Sequence, residues 1–176
     1  MRGGDAAAYA ELVVRHAAVA QRTAVLLGAG PEADDVVQEA FVKAYGALGS
    51  FRDGAAFRPW LLRIVANETR NVLRSRRRRS HREGLATLPD SVLAAGESAL
   101  DPAVHALSVE RRSELVSALR ELPEHYRLVV TCRYLLDLDE QETATVLGWS
   151  RGTVKSRLHR ALGRLRSRLP DKEVQR

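Results

Sequence analysis

The segment DEQETATVLGWSRGTVKSRLHRALGRLRSRL, residues 139–169, constrains the chain most, because it spells a short helix, a tight turn and a longer basic helix in unbroken succession. Asp139 is placed to cap the first helix, Glu142 three residues on completes a capping box, and Gly148 suits a left-handed exit. Ser150 then caps the second helix. Along it Val154, Leu158, Ala161, Leu162, Leu165 and Leu169 make one apolar stripe, while Arg151, Thr153, Lys155, Ser156, Arg157, His159 and Arg160 fill the remaining positions. A recognition helix in such a motif meets base edges with its N-terminal half and grips phosphates with its cations. A helical hairpin with a merely charged surface fits less well, since no acid occurs from Ser150 to Leu169.

Charge is segregated along the chain. From Arg58 to Arg82 nine arginines stand against the single acid Glu68, a balance of +8, and from Ser150 to Leu169 seven bases give +7. The whole chain is only +6, so the remainder carries −9. A generic solubilising coat would be spread evenly. Two basic blocks on an acidic background point instead to two nucleic-acid contacts, with acidic surface left for a protein partner.

Composition narrows the classes further. With 176 residues and 45% hydrophobic content the chain can form one domain or two small ones. Its one cysteine, Cys132, excludes an internal disulfide and a cysteine-based zinc cluster, and its place in the apolar run Leu128 to Leu136 makes it a core thiol. No stretch approaches the ~18 uncharged apolar residues needed to cross a bilayer, and the N-terminus lacks a signal-peptide apolar run. The expected location is cytoplasmic, with no membrane insertion. Asp34, Asp35 and Glu39 are conceivable metal ligands of a nuclease, but no His, Cys or further carboxylate motif completes such a site. No catalytic residue, metal or cofactor is expected.

Residues 5 to 27 read as a helix capped by Asp5 and ended by Gly28, with Tyr9, Leu12, Val13, His16, Val19, Ala20, Thr23 and Leu27 at helical spacing. A second helix opens at Pro31 and buries Val37, Ala40, Phe41, Ala44, Tyr45 and Leu48. Its other side shows Asp35, Gln38, Glu39 and Val42, which a solvated face would also explain. The turn GSFRDGAA, residues 49–56, carries an aromatic, Phe51, that a purely solvent-exposed loop does not need. A third helix runs from about Phe57 or Pro59 into the arginine block, with Arg63, Asn67, Arg70, Asn71 and Arg74 on its exposed face, a mixture of phosphate-reaching cations and amides able to hydrogen-bond base edges.

From Glu83 to Glu110 there is no Lys or Arg, and five acids accompany two prolines, so residues 83–106 read as a flexible acidic linker. Helical spacing resumes with Leu115, Leu119 and Leu122, stops at Pro123 and returns through Tyr126, Val129, Val130 and Tyr134. The expected fold is therefore all-α, with two small helical domains, 1–82 and 107–176, the second holding the helix-turn-helix.

Taken in order, DAAAYAELVVRH, DDVVQEAFVKAY, FRDGAAFRPWLLRIVANETRNVLRSRRR, LPEHYRLVV and LGWSRGTVKSRLHRAL resemble a bacterial RNA polymerase sigma factor of the extracytoplasmic-function type. The resemblance spans nearly the whole chain. It implies that Asp35, Gln38 and Glu39, matching a D-x-x-Q-E pattern, dock on the beta-prime clamp helices of core polymerase, and that the C-terminal domain meets the beta flap. Phe51 and Asn67 then lie at the pocket for a flipped base of the minus-ten element, with Arg63, Arg70, Asn71, Arg74 and the Arg76 to Arg79 run on the surrounding DNA. Arg151, Thr153, Lys155, Ser156, Arg157 and Arg160 read the minus-thirty-five element as duplex. Control by an anti-sigma protein is implied as well. The rival reading is a stand-alone dimeric helix-turn-helix regulator, which leaves the first arginine block and the α-helical acidic face without a purpose.

Overall fold

The computed structural model describes residues 6–51, 54–82 and 109–169, and every regular element among them is helical. The expected cap Asp5 and the linker 83–106 lie outside the described residues. The first helix, α1, is Ala6–Leu26. Gly28 adopts φ 103°, and the turn it makes returns the N–H of Ala29 to the carbonyl of Ala24 at 2.9 Å and its own N–H to Val25 at 3.0 Å. This satisfies two carbonyls at the helix end with a conformation glycine adopts at little cost.

A 3₁₀ turn at Gly30–Glu32 leads into α2, Ala33–Ala47, so Pro31 opens a short turn before the helix rather than the helix itself. Helices α1 and α2 lie antiparallel. The Tyr9 hydroxyl donates to the carbonyl of Phe41 at 2.5 Å, and Gln21 Nε2 donates to Asp34 at 2.6 Å. The third helix, α3, is Phe57–Arg82 and packs on both. Ala20, Ala24, Val36, Ala40, Phe41, Leu61 and Val65 form this N-terminal core. Ala40, Phe41 and Ala44 are buried as the expected stripe has them and Val37 packs against the core, but Val36 is enclosed as well, whereas Tyr45 is 48% exposed and only edges against the ring of Tyr9. An aromatic on a helix flank can lay its ring over a neighbour without entering the core.

The C-terminal half contains α4, Val109–Arg120; α5, Glu124–Val130, continued by a π-helical turn at Thr131–Leu135; α6, Glu140–Leu147; and α7, Arg151–Arg166. The π turn closes with the Leu136 N–H on the Thr131 carbonyl at 3.0 Å. It rotates the helix so that Cys132 is fully buried while Tyr134, expected on the apolar side, is 60% exposed. Leu119, Leu122, Val129, Leu138, Val146, Val154, Ala161 and Leu165 complete the core around Cys132. Enclosure pushes the Cys132 thiol up to about 12, so it stays a protonated packing group.

The two halves are in contact. Helix α3 packs along α6, and Leu62 and Ala66 of α3 join the C-terminal core, both almost wholly enclosed.

Candidate functional site

On α2 the acidic side chains follow from helix geometry. Asp34 and Asp35 sit in the first turn, where the helix dipole favours negative charge. Asp35, Gln38, Glu39 and Val42 are all exposed, on the face opposite Val36, Ala40 and Ala44. Glu39 accepts an ion pair from Lys43 at 3.2 Å, and the same Lys43 reaches Glu68 of α3 at 2.7 Å. Asp35 and Gln38 have no side-chain partner among the described residues. Val42, 61% exposed, places an apolar group beside these polar ones, a combination suited to a protein contact.

At the start of α3 three aromatic rings gather. Phe51 lies 5.0 Å from the ring of Trp60 and 5.9 Å from that of Phe57, and Phe57 tilts against His16 at 5.2 Å. Phe51 is half-buried, so its ring is steadied by two neighbours while part of it faces outward. His16, expected in the core, is also only half-buried. Burial first, then the charges of Arg15 and Arg58, push its imidazole down and favour the neutral form.

Further along α3, Arg63, Asn67, Asn71 and Arg74 are exposed at steps of four, four and three and therefore share a face. Arg70 is the exception among the expected residues. It is half-buried and its Nη2 donates to the Val146 carbonyl of α6 at 3.4 Å. Burial, then Arg74 and Arg63, push its guanidinium down, which marks a cluster of like charge without an acid to offset it. Within the arginine run the roles also separate. Arg76 donates to the Gly28 carbonyl at 3.4 Å, the Ala29 carbonyl at 2.6 Å and the Glu32 carboxylate at 2.8 Å, tying α3 to the α1–α2 turn. Arg77 pairs with Glu124 of α5 at 3.1 Å. Arg74, Arg78 and Arg79 remain exposed.

The helix-turn-helix forms with the caps the sequence indicates. Asp139 accepts from the Glu142 N–H at 2.7 Å while Glu142 accepts from the Asp139 N–H at 2.9 Å, and Gly148 exits at φ 69°. Ser150 accepts from the Thr153 N–H at 3.2 Å, and the two hydroxyls share a hydrogen bond of 2.8 Å. Thr153 thereby serves the cap. Arg151 pairs with Glu140 across the turn at 3.2 Å, and the Arg157 guanidinium stacks on the Trp149 ring at 4.0 Å. Lys155, Ser156 and Arg160 point to solvent, joined on the same face by His159, which the sequence places on the polar side of the helix but which is not among the residues expected to read the minus-thirty-five element. Positions 155, 156, 159 and 160 are one and four apart, and that spacing is the signal that places His159 with them.

Arg63 shares an open groove of about 390 Å³ with the helix-turn-helix, lined by Gln141, Thr145, Gly148, Trp149 and Arg151. No cluster of His, Cys, Asp or Glu capable of holding a metal occurs among the described residues, and no helix of the described residues is long and apolar enough to cross a membrane.

Residues 6–79 match the family model of sigma-70 region 2, and residues 112–165 match that of sigma-70 region 4. The chain is 36% identical to the ECF RNA polymerase sigma-E factor of Escherichia coli strain K12 over 162 residues, covering 90% of this chain and 84% of that protein. It is 40% identical to the RNA polymerase sigma-H factor of Pseudomonas aeruginosa over 134 residues, 74% of this chain and 69% of that one. Among solved structures it is similar to CnrH in complex with the cytosolic domain of CnrY, with TM-score 0.64, 30% identity and coverage of 94% and 90% of the two chains. The fold is likewise similar to that of the sigma factor RpoE in complex with the anti-sigma factor NepR from Bartonella quintana, with TM-score 0.71, 24% identity and coverage of 96% and 98%.

Proposed function

We propose a division of labour along this chain, which belongs to the extracytoplasmic-function (ECF) RNA polymerase sigma factors. Residues 1–82 bind core polymerase and the minus-ten element, residues 107–176 bind the minus-thirty-five element, and residues 83–106 join them. One observation carries this reading: the N-terminal half presents an acidic face on α2 and a cationic, amide-bearing face on α3, while α7 presents a second cationic face 80 or more residues away in sequence.

On α2, Asp35, Gln38 and Glu39 dock on the beta-prime clamp helices of polymerase, with Val42 adding apolar area, and the C-terminal half meets the beta flap. On α3, Arg63, Asn67, Asn71 and Arg74 line the minus-ten strand, and Phe51 supplies an aromatic wall against which an unstacked base can rest. Unstacking costs a few kcal/mol per base, which base–aromatic stacking of about 1–3 kcal/mol and polar edge contacts largely offset. On α7, Lys155, Ser156 and Arg160 reach base edges in the major groove. Arg151, Thr153 and Arg157 hold the turn and helix at the angle that lets them do so, and stay close enough to the DNA to contact phosphates. The chain acts in the cytoplasm, catalyses no reaction itself, and is controlled by an anti-sigma protein that competes for these faces.

The test is transcription in vitro from a genomic fragment library with core polymerase, with and without the protein. New start sites preceded by a shared two-part motif are expected. No new transcripts, together with tight binding of DNA by the protein alone, would favour the dimeric regulator instead. The double variant Asp35→Ala/Gln38→Ala is expected to weaken core binding tenfold or more, on the order of 1.4 kcal/mol, at unchanged melting temperature. Unchanged affinity in a pull-down removes the α2 assignment.

A further inference from the structure

Lys43 stands between the face assigned to polymerase and the face assigned to the minus-ten strand, and belongs to neither. It is the only base on α2, and Glu68 is the only acid from Arg58 to Arg82 on α3. Lys43 Nζ reaches Glu68 Oε2 at 2.7 Å and Glu39 Oε1 at 3.2 Å. The two carboxylates differ in setting. Glu68 keeps only 14% of its side chain exposed, whereas Glu39 keeps 52% and Lys43 46%. The shorter and better enclosed bond is the anchor, and Glu39 is the partner that can leave. The hydrogen bond to Glu68 first, and then that to Glu39, push the Lys43 ammonium up against an opposing effect of burial, so the cation persists through the neutral range.

Helix geometry sets what Glu68 would do alone. At a step of about 100° per residue, Glu68 lies about 60° round α3 from Asn71. Its carboxylate therefore flanks the row Arg63, Asn67, Asn71 and Arg74 on the side of α2. Left uncompensated, it would repel backbone phosphates laid along that row, over a distance at which salt screens only in part. Lys43 cancels that charge. The same ammonium, bonded to Glu39, also reduces the negative charge that α2 offers to a cationic partner. An exposed pair such as Lys43 with Glu39 is easily exchanged, and Lys43 keeps Glu68 when Glu39 turns to another cation.

We propose that Lys43 is a positioning residue shared by both faces: anchored on Glu68, it screens that carboxylate from the promoter strand and holds Glu39 until polymerase takes it. The proposal rests on the assignment of α2 to polymerase and of α3 to the minus-ten element. Its consequences for the two ligands have opposite signs. Loss of Lys43 frees Glu39 for polymerase and leaves the charge of Glu68 facing DNA. Loss of the Glu68 charge commits Lys43 to Glu39 and removes the only acid beside the strand. Lys43 itself touches neither ligand.

Two affinities of the full chain test this: for core polymerase in a pull-down titration, and for a labelled single DNA strand of about 12 nucleotides and mixed sequence at low salt. Lys43→Met is expected to tighten core binding about two- to threefold and to weaken strand binding about threefold. Glu68→Gln is expected to weaken core binding about twofold and to leave strand binding at or above the wild-type value. The double variant Lys43→Met/Glu68→Gln returns strand binding to that of the wild type, and Lys43→Arg retains both affinities. Lys43 is a surface side chain and glutamine nearly matches glutamate in shape, so melting temperatures are expected to stay unchanged. A purely structural bridge would lower both affinities together with the melting temperature. A lysine that grips phosphate directly would leave the double variant as weak as Lys43→Met. Either of these results, or variants that move neither affinity, overturns the proposal. A wild type that does not bind core polymerase speaks against the assignment of α2 and not against the screening of Glu68, which the strand titration reads without polymerase.

Discussion

The hydroxyl of Thr143 is wholly enclosed and has no hydrogen-bond partner among the described residues, although its backbone N–H donates to Asp139 at 2.9 Å. Elsewhere in the molecule buried threonines satisfy themselves on the preceding turn: Thr23 donates to Val19 at 2.7 Å and Thr69 to Val65 at 2.9 Å. An enclosed hydroxyl without a partner costs about 1–3 kcal/mol, and valine has nearly its shape without that cost. Thr143→Val is therefore expected to stabilise the protein by about 1 kcal/mol, read as a higher denaturant midpoint at unchanged slope. A lower midpoint would mean that the hydroxyl finds a partner in solution. Arg76 works in the opposite sense. It is so fully bonded to the α1–α2 turn that it is a structural cation, although in sequence it is one of four consecutive arginines that read alike. Sequence alone does not divide such a run. Which arginine meets a carbonyl is decided by the 100° step between neighbours and by what happens to pack against each side.

At the scale of elements, helix ends were the most legible part of the sequence. The capping box at Asp139 and Glu142, the left-handed Gly148 and the Ser150 cap all form with hydrogen bonds of ordinary length, because each depends on three or four consecutive residues and on little else. Asp139→Ala is expected to cost about 1 kcal/mol of stability, seen as a lower melting temperature with the helix-turn-helix loosening first in hydrogen exchange. Uniform exchange across both halves would instead mean that the cap is supported from outside the motif. The apolar stripe on α7 was equally legible, since Val154, Ala161 and Leu165 are buried as their spacing demands. What the pattern missed came from departures from a plain α-helix or from long-range packing. The π turn rotates Tyr134 outward by adding a residue to one turn, and Val36, which the expected stripe omitted, joins the core that α2 makes with α1 and α3, whereas Tyr45 stays outside it. Among the expected DNA-facing residues, Arg63, Asn67, Asn71 and Arg74 are exposed together, whereas Arg70, Thr153 and Arg157 are held by partners distant in sequence or by the turn.

For the molecule as a whole, the relevant quantity is how many cations are free to meet phosphate. Of the bases in the two blocks whose side chains are described, Arg58, Arg70, Arg76, Arg77, Arg78, Arg151, Arg157, Arg164 and Arg168 are bonded or stacked within the chain. Arg63, Arg74, Arg79, Lys155, Arg160 and Arg166 have no such partner among the described residues. Six cations give a slope of about −5 for the logarithm of non-specific duplex affinity against that of salt concentration. A titration between 50 and 200 mM salt checks this. A slope near −10 would show that the engaged arginines leave their partners for DNA even without polymerase.

The two tryptophans of the chain fall one in each half, Trp60 against Phe51 and Phe57 at the mouth of α3, and Trp149 under the Arg157 guanidinium in the turn before α7. Indole emission is sensitive to a stacked cation and to the loss of surrounding water. The protein therefore contains two optical probes, each seated beside one of its proposed recognition faces. Replacing either with phenylalanine leaves the other as a single label, so the order in which the upstream and downstream faces engage can be timed by stopped flow without attaching a dye.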